Sequence, residues 1–279
     1  MSDATLQMQS GHLTQLRDVG FVRVGGVFDS RFIAGCKGEL EQALAGRRSP
    51  AHMLTSSTSV HVHNFFLYGA SLRRLLFGEE LQTIHKSVFG PSYCLRNAVA
   101  STIHANAAGD DNPLHSPIGA GWHRDTPQFH DRDAASRVIG SECTYQVIVA
   151  LDPANAVNST KLLPGSHRAP IAGHRLADAD LQALVEQRGL ADLLMQPGDV
   201  AIIDDNTFHK AGLPTAQSRW MLFCSYTPWF VKPYFDFTTV QLPDMTPYEA
   251  HCLHKTSVPP DASEALRNTF RANGWEKDV

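Results

Sequence analysis

Gly121-Trp122-His123-Arg124-Asp125 is the stretch around which this chain is organised. It reads His-x-Asp, and the spacing matters. In an extended strand, residues two apart point to the same face. His123 and Asp125 can therefore aim an imidazole and a carboxylate at one point. Two ligands do not hold a catalytic metal well. The best third candidate downstream is His209, in Asp204-Asp205-Asn206-Thr207-Phe208-His209-Lys210. Two histidines and one carboxylate on one side of a metal, with the opposite positions open, form a facial triad suited to non-haem Fe(II). The bland alternative is chance, because the chain holds 14 histidines and such pairs mislead. His61-Val62-His63 is a competing pair, but it has no obvious third ligand and reads as an aromatic-rich surface strand.

Composition narrows the class. A chain of 279 residues has length for a full core, and 43% hydrophobic with 19% charged residues is ordinary for a globular protein. The net charge of −4 and the absence of any basic tract argue against a nucleic-acid or anionic-membrane surface. The five cysteines (Cys36, Cys94, Cys143, Cys224, Cys252) are odd in number and lack CxxC spacing. They disfavour a disulfide framework and a zinc ribbon, and a reducing cytoplasm fits them. The polar first eleven residues do not read as a signal peptide, and no apolar run reaches transmembrane length.

Helical signals come first. Residues 11–19 and 30–45 read as helices, the second capped by Asp29 or Ser30, and 71–89 as one or two more. A short strand falls at 21–24, and 61–68 is a strand or loop. From Tyr93 the period changes to two. Strands are expected at 93–104, 142–152, 160–163, 200–203, 207–212 and 219–226, with one helix inserted at 177–188 and a last one near 262–272. The stretch after Tyr226 reads as irregular up to that helix. Helices followed by closely spaced strands predict a mainly β fold with flanking helices, built as a jelly roll. The whole chain, 1–279, reads as one domain, with its core at 21–230 and an aromatic C-terminal segment and helix at 231–279. A closed β-topology would also bring His209 beside His123.

Arg219 adds a second requirement. A guanidinium fork binds a carboxylate bidentately. Fe(II) with two neutral histidines and Asp125 keeps a net positive charge. A 2-oxoglutarate dianion bound there by its keto acid end needs another cation at its far end, and Arg219 can supply it. Without His209 nearby, the default for Arg219 is a surface arginine at a strand edge.

With these residues in view, the chain resembles the phytanoyl-CoA dioxygenase (PhyH-like) family of Fe(II)/2-oxoglutarate-dependent oxygenases. The motifs are Gly121 to Asp125, Leu151-Asp152-Pro153, Leu162-Leu163-Pro164-Gly165-Ser166-His167-Arg168, Pro197-Gly198-Asp199-Val200, then His209 and Arg219. They run in the family's order from about Phe21 to Trp229. The resemblance implies a double-stranded β-helix (cupin-like jelly roll), with His123, Asp125 and His209 as iron ligands and Arg219 anchoring 2-oxoglutarate. It also implies cosubstrate contacts at Thr102 and Gln146. Thr144, Gln146 and Ile148 share a strand face, so Gln146 reaches the cosubstrate if that face lines the barrel. Where the family has Asn-Gly before the Pro-Gly-Ser-His turn, this chain has Val157-Asn158-Ser159. Asparagine tolerates left-handed geometry, so the turn is expected to survive. His167 is expected to be structural.

The implied activity consumes 2-oxoglutarate and O2, releases succinate and CO2, and oxidises a small molecule, hydroxylation being the default; ascorbate is expected to stimulate it. Asp125 argues against a halogenase, which needs a small residue there. Candidate substrate contacts are Asn64, Phe65, Arg124, Gln128, Phe129, Tyr145, Trp229 and Phe230, each of which core packing would also explain. No basic cluster suits a coenzyme A phosphate, so a free small molecule is favoured, handled by a monomer or homodimer. Two rival readings are a cupin-like metal isomerase or epimerase, which would not need Arg219, and a non-catalytic binding protein on the same fold. Trp229 either walls the site or plugs the core.

Overall fold

Alternation along the second half of the chain produces two antiparallel sheets. The computed structural model describes residues 8, 10–46, 53–55, 59–90, 93–103, 121–125, 144–169, 171, 173–213, 215, 219–229, 231–233, 235–256 and 258–272. The larger sheet has seven strands: β1 (Phe21–Val24), β2 (Met53–Thr55), β3 (Ser59–His63), β4 (Tyr93–Ile103), β5 (Tyr145–Ala150), β8 (Val200–Asp204) and β10 (Arg219–Pro228). Their order across the sheet is β1-β8-β5-β10-β4-β3-β2. The smaller sheet joins β7 (Ala191–Asp192), β6 (Lys161–Leu162) and β9 (His209–Lys210), in that order. All pairings between these strands are antiparallel.

The period of two sorts side chains between the faces of the large sheet. On one face, Val60, Val62, Ala98, Ala100, Val147, Val149, Ile202, Trp220 and Leu222 join a core that also takes in the early helices. Those helices are α1 (Ser10–Val19), α2 (Ser30–Ala45), α3 (Ala70–Phe77) and α4 (Glu79–Phe89). Asp29 caps α2 by accepting from Phe32 N at 2.8 Å, as its sequence position predicts. On the opposite face, Ile148, Ala150, Ala201, Ile203 and Met221 pack with Leu162, Leu193 and Met195 to form the interior between the sheets. The neighbouring residues of that inner face are left to line a cavity. This is the expected jelly roll with flanking helices.

The segment 71–89 is two helices, broken at Gly78, within the one or two expected. The inserted helix is α5 (Asp178–Arg188). One element departs from the expectation: the stretch after Tyr226 is less irregular than it reads, because α6 (Pro247–Cys252) lies there ahead of the expected last helix, α7 (Glu264–Ala272). The signal for α6 was legible: Thr246 and Glu249 form a reciprocal capping box ahead of Pro247. Glu249, buried, also receives Arg73 of α3 at 2.8 Å, which fastens the late helix to the early ones.

The turn joining β8 to β9 is held from the N-terminus. Asp204 N and Thr207 Oγ1 both donate to Gly20 O, at 2.8 and 3.0 Å. Gly20 has φ +89°, and a Cβ there would lie 2.4 Å from Thr207 Oγ1 and 2.5 Å from His167 Nδ1. Gly20→Ala is therefore expected to lose about 2–4 kcal/mol of stability, since it combines left-handed strain with a steric clash. A urea midpoint equal to that of the parent protein would refute this account of the turn.

Candidate metal centre

Backbone pairing brings the two histidines together. His123 N donates to His209 O and His209 N to His123 O, each at 3.0 Å. This reciprocal exchange is an antiparallel bridge, which extends the small sheet by one segment beyond β9. Asp125 N then donates to Asp205 O at 3.0 Å, so the carboxylate returns to the same place two residues on. Asp125 Oδ1 lies 3.5 Å from His123 Nε2 and 3.4 Å from His209 Nε2. The ligand atoms of the three residues all fall within 4.8 Å of one another, and among the described residues no other such group occurs.

The tautomers suit a cation. His123 Nδ1 donates to Gly121 O at 2.8 Å, and His209 Nδ1 to Thr207 O at 2.9 Å. With Nδ1 committed to a carbonyl, Nε2 is the atom each ring offers to a proton or a metal, and both aim at Asp125. Metal-binding histidines are typically oriented in this way. The charges point the same way. Burial disfavours a charged His209, yet Asp125 overrides it and holds the imidazole up at about 9. Burial also opposes the Asp125 charge, but the two imidazoles hold its carboxyl well below the usual range. A cluster whose acid and bases compensate each other so strongly is one in which a cation can take the place of protons. Beneath it, buried Asp205 is pushed up to about 8 by desolvation and by Asp125, against the pull of Arg96.

The triad opens onto a cavity of about 490 Å³. Its inner wall follows strand alternation: Ser59 and His61 from β3, Val99, Ser101 and Ile103 from β4, Arg219 and Phe223 from β10, and Gln146 from β5. Arg219 is only 5% exposed, and burial pushes its guanidinium down to about 10. Among the described residues it has no hydrogen bond or ion pair. Asp152, whose charge it feels, is occupied elsewhere, accepting from Lys37 Nζ at 2.6 Å and Trp220 N at 2.9 Å. The Leu-Asp-Pro motif thus pins the start of β10 and leaves the fork of Arg219 to the cavity.

Of the other expected contacts, Gln146 reaches the cavity and Thr102 does not. Thr102 is buried on the opposite face from Ser101 and Ile103, opposite Trp220, whose ring joins the core on the helical side. The slip is one residue, which on a strand reverses the face. Phe65 is fully buried in that same helical core, edge-on to Phe66, and is not a cavity residue. Asn64, also buried, adopts φ 53° and begins a short 3-10 turn outside the cavity. Arg124 is buried with its guanidinium 4.0 Å from the Phe208 ring and bonded to the carbonyls of Ile171, Ser166 and Ala169, so it fixes the Pro-Gly-Ser-His turn. Tyr145 packs against the helical core. Trp229 is 38% exposed just past β10, neither a core plug nor part of the described cavity wall. Gln128, Phe129 and Phe230 lie outside the described residues.

His167 is structural as expected, its Nε2 donating to Arg17 O at 3.0 Å. The Asn158 turn survives for another reason than the one expected. Asn158 does not adopt a positive φ; instead Asn155 N donates to Asn158 Oδ1 and Asn158 N to Asn155 Oδ1, at 2.8 and 3.1 Å. His61, which reads from sequence as part of a surface strand, is instead a cavity residue. It is half-buried on the inner face of β3, its Nε2 3.0 Å from Ser59 Oγ, and burial lowers its pKa. Its spacing to His63 was the available signal: the pair does lie on a strand, but the strand faces inward.

Comparison with known proteins follows from this geometry. The family model for phytanoyl-CoA dioxygenase (PhyH) matches residues 16–221, most of the chain and all of the site. The chain belongs to this family. It is accordingly a non-haem iron, 2-oxoglutarate-dependent enzyme. Among curated proteins, no sequence matches. Solved structures share the fold at low identity. EctD from S. alaskensis, solved with 2-oxoglutarate and 5-hydroxyectoine, is 17% identical with a TM-score of 0.65, covering 82% of this chain and 79% of its own. HygX from Streptomyces hygroscopicus, with nickel, 2-oxoglutarate and hygromycin B, gives 15% and 0.62, covering 82% and 90%. The epimerase SnoN, with Fe3+, alpha ketoglutarate and nogalamycin RO, gives 18% and 0.60, covering 85% and 90%. Among the described residues no helix is long and apolar enough to cross a membrane.

The alternation predicts a contrast between neighbours. Thr102→Val is expected to leave the KM for 2-oxoglutarate within about twofold, because the side chain points to the helical side, away from the cavity. A rise of tenfold or more would return Thr102 to the cosubstrate site.

Proposed function

We propose that this protein oxidises a polar small molecule, hydroxylation being the expected outcome, with Fe(II) held by His123, Asp125 and His209 and 2-oxoglutarate anchored by Arg219. The observation that carries this reading is the buried, unpaired guanidinium of Arg219 facing the same cavity as the His-Asp-His group. A buried cation without a partner is costly, and a carboxylate from the cosubstrate would relieve that cost.

When bound, iron and 2-oxoglutarate supply O2 activation, one oxygen atom leaving in succinate, with CO2 released, and the other going to the substrate. The chain supplies the rest. His123 and His209 present fixed Nε2 lone pairs, and Asp125 supplies the single negative charge. Arg219 orients the cosubstrate by its far carboxylate. Val99, Ile103 and Phe223 give the cavity an apolar wall that excludes water. Ser59, His61 and Ser101 place hydrogen-bonding groups on that wall, which favours a substrate with polar substituents over an acyl chain. Gln146 is a second polar contact for the cosubstrate.

The solved epimerase on this fold carries alpha ketoglutarate, so a requirement for 2-oxoglutarate does not by itself define the outcome. The defining test is succinate release and O2 uptake over a panel of polar small molecules, with Fe(II) and ascorbate, reading the product by mass. A gain of one oxygen supports hydroxylation; an unchanged mass with altered stereochemistry would replace it by epimerisation.

Two variants probe the assignments. His209→Ala is expected to fold but to lose tight metal binding and all turnover; retained full activity would sink the triad. Arg219→Met keeps much of the stem and removes the fork. Its apparent affinity for 2-oxoglutarate should fall by about one to two orders of magnitude, as expected for a charged hydrogen bond of about 1.5–3 kcal/mol. An unchanged titration would place the anchor elsewhere.

A further inference from the structure

Behind Asp125, on the side away from the cavity wall, lies an ion pair that the proposed reaction does not use. Arg96 Nη1 is 3.3 Å from Asp205 Oδ2, and the two side chains are 1% and 0% exposed. An ion pair so deeply buried is an inefficient way to join two strands. The desolvation cost of the charges is large, and apolar residues of similar size commonly serve as well or better. Its presence asks for a role that apolar side chains could not fill.

The backbone is arranged to form it. Along β4 and β10 the register runs Cys224 with Ala98 and Ser225 with Asn97, then jumps to Tyr226 with Leu95. Arg96 is the residue skipped. It sits at a β-bulge, a device that re-aims a side chain next to functional sites. In a regular strand, Ala98 in the helical core would bring Arg96 to that same face; the extra residue gives that place to Leu95 and turns Arg96 toward Asp205.

Asp205 in turn is tied to the metal-binding carboxylate in two ways. Its backbone O accepts from Asp125 N at 3.0 Å, and its carboxyl feels the charge of Asp125. Its own N donates to Thr144 O at 3.2 Å, which fixes the residue to the start of β5. With a divalent cation at the triad and the Arg96 guanidinium beyond, an ionised Asp205 would face cations on both sides, which offsets the desolvation and the Asp125 charge that raise its pKa when no metal is bound.

We infer that Arg96 and Asp205 are a positioning pair for Asp125, Asp205 adding negative charge behind the cation site and Arg96 holding Asp205 in place. This rests on the reading that His123, Asp125 and His209 bind a divalent metal. Outer partners of metal ligands typically change metal affinity by about 10- to 100-fold when removed. Asp205→Asn deletes the negative charge and leaves the positive charge of Arg96 behind the site without that counter-charge. Arg96→Met with Asp205→Asn deletes both charges, so the repulsion disappears although the positioning does not return.

The test is a Co(II) titration of the full metal-free chain, followed by the visible absorption of the bound ion and by calorimetry, with melting temperature measured on the same samples. Asp205→Asn is expected to bind Co(II) at least about tenfold more weakly than the parent. The double variant is expected to recover part of that loss, because the cation left behind the site is removed with it. Parent-like affinity in Asp205→Asn overturns the inference, whatever the melting temperature does. So does a double variant that binds no more tightly than Asp205→Asn. Should Asp205→Asn fail to fold, the charge-balanced double variant decides alone: tenfold weaker binding supports the pair, and parent-like binding removes it. Asp125→Ala separates the two levels. If it binds Co(II) like the parent, the metal site itself is wrong; if it does not bind while Asp205→Asn binds normally, only the pair is.

Discussion

The two backbone hydrogen bonds exchanged by His123 and His209 are the constraint on which the site depends. They set the spacing of the imidazoles through main-chain geometry, so that spacing does not depend on side-chain packing. Each imidazole is then oriented by a carbonyl two residues earlier, Gly121 O or Thr207 O. Local chain and long-range pairing thus fix different degrees of freedom: the first sets the ring direction, the second the distance between rings.

Much of the surrounding sequence serves to hold this bridge. Ser166 Oγ accepts from Phe208 N at 2.8 Å, and Leu163 N donates to Phe208 O at 3.0 Å, so the Pro-Gly-Ser-His turn straps the arm that carries His209. Arg124, between the two ligands of the His-x-Asp segment, grips the carbonyls of that same turn from the other side. Asp199 of the Pro-Gly-Asp motif accepts from Gly26 N and Gln196 N, each at 2.8 Å, and steadies the entry to β8. Motifs that look like a catalytic inventory are in large part the scaffold of one bridge.

The cavity shows how one strand face can be divided between packing and chemistry. The inner face of the large sheet carries Ile148, Ala150, Ala201 and Ile203 at one side, where the small sheet covers it. Toward β3 and β4 the same face carries Ser59, His61 and Ser101 beside Val99 and Ile103. The polar residues are tolerated because the cavity leaves their hydrogen-bonding atoms within reach of a ligand, whereas in the packed half they would be buried without partners.

The sequence by itself determined the β-rich class, the early helices, the metal-ligand candidates and Arg219. These are carried by local periodicity and by residue chemistry, and His-x-Asp places two ligands on one face wherever the strand lies. It also held the capping box of α6, which composition around it obscured. The tertiary structure decided what depends on register. Thr102 and Ser101 differ by one residue and face opposite sides of the sheet, a distinction that periodicity allows but cannot assign to inside or outside. Phe65 and Trp229 were equally plausible as pocket aromatics, and only packing sent one to the helical core and the other to the surface. His61 reads as part of a surface strand, and only the pairing of β3 into the large sheet turns it toward the cavity. Arg96 and Asp205 carried no motif, because the bulge that aims Arg96 at Asp205 exists only where β4 pairs with β10, far apart in the chain.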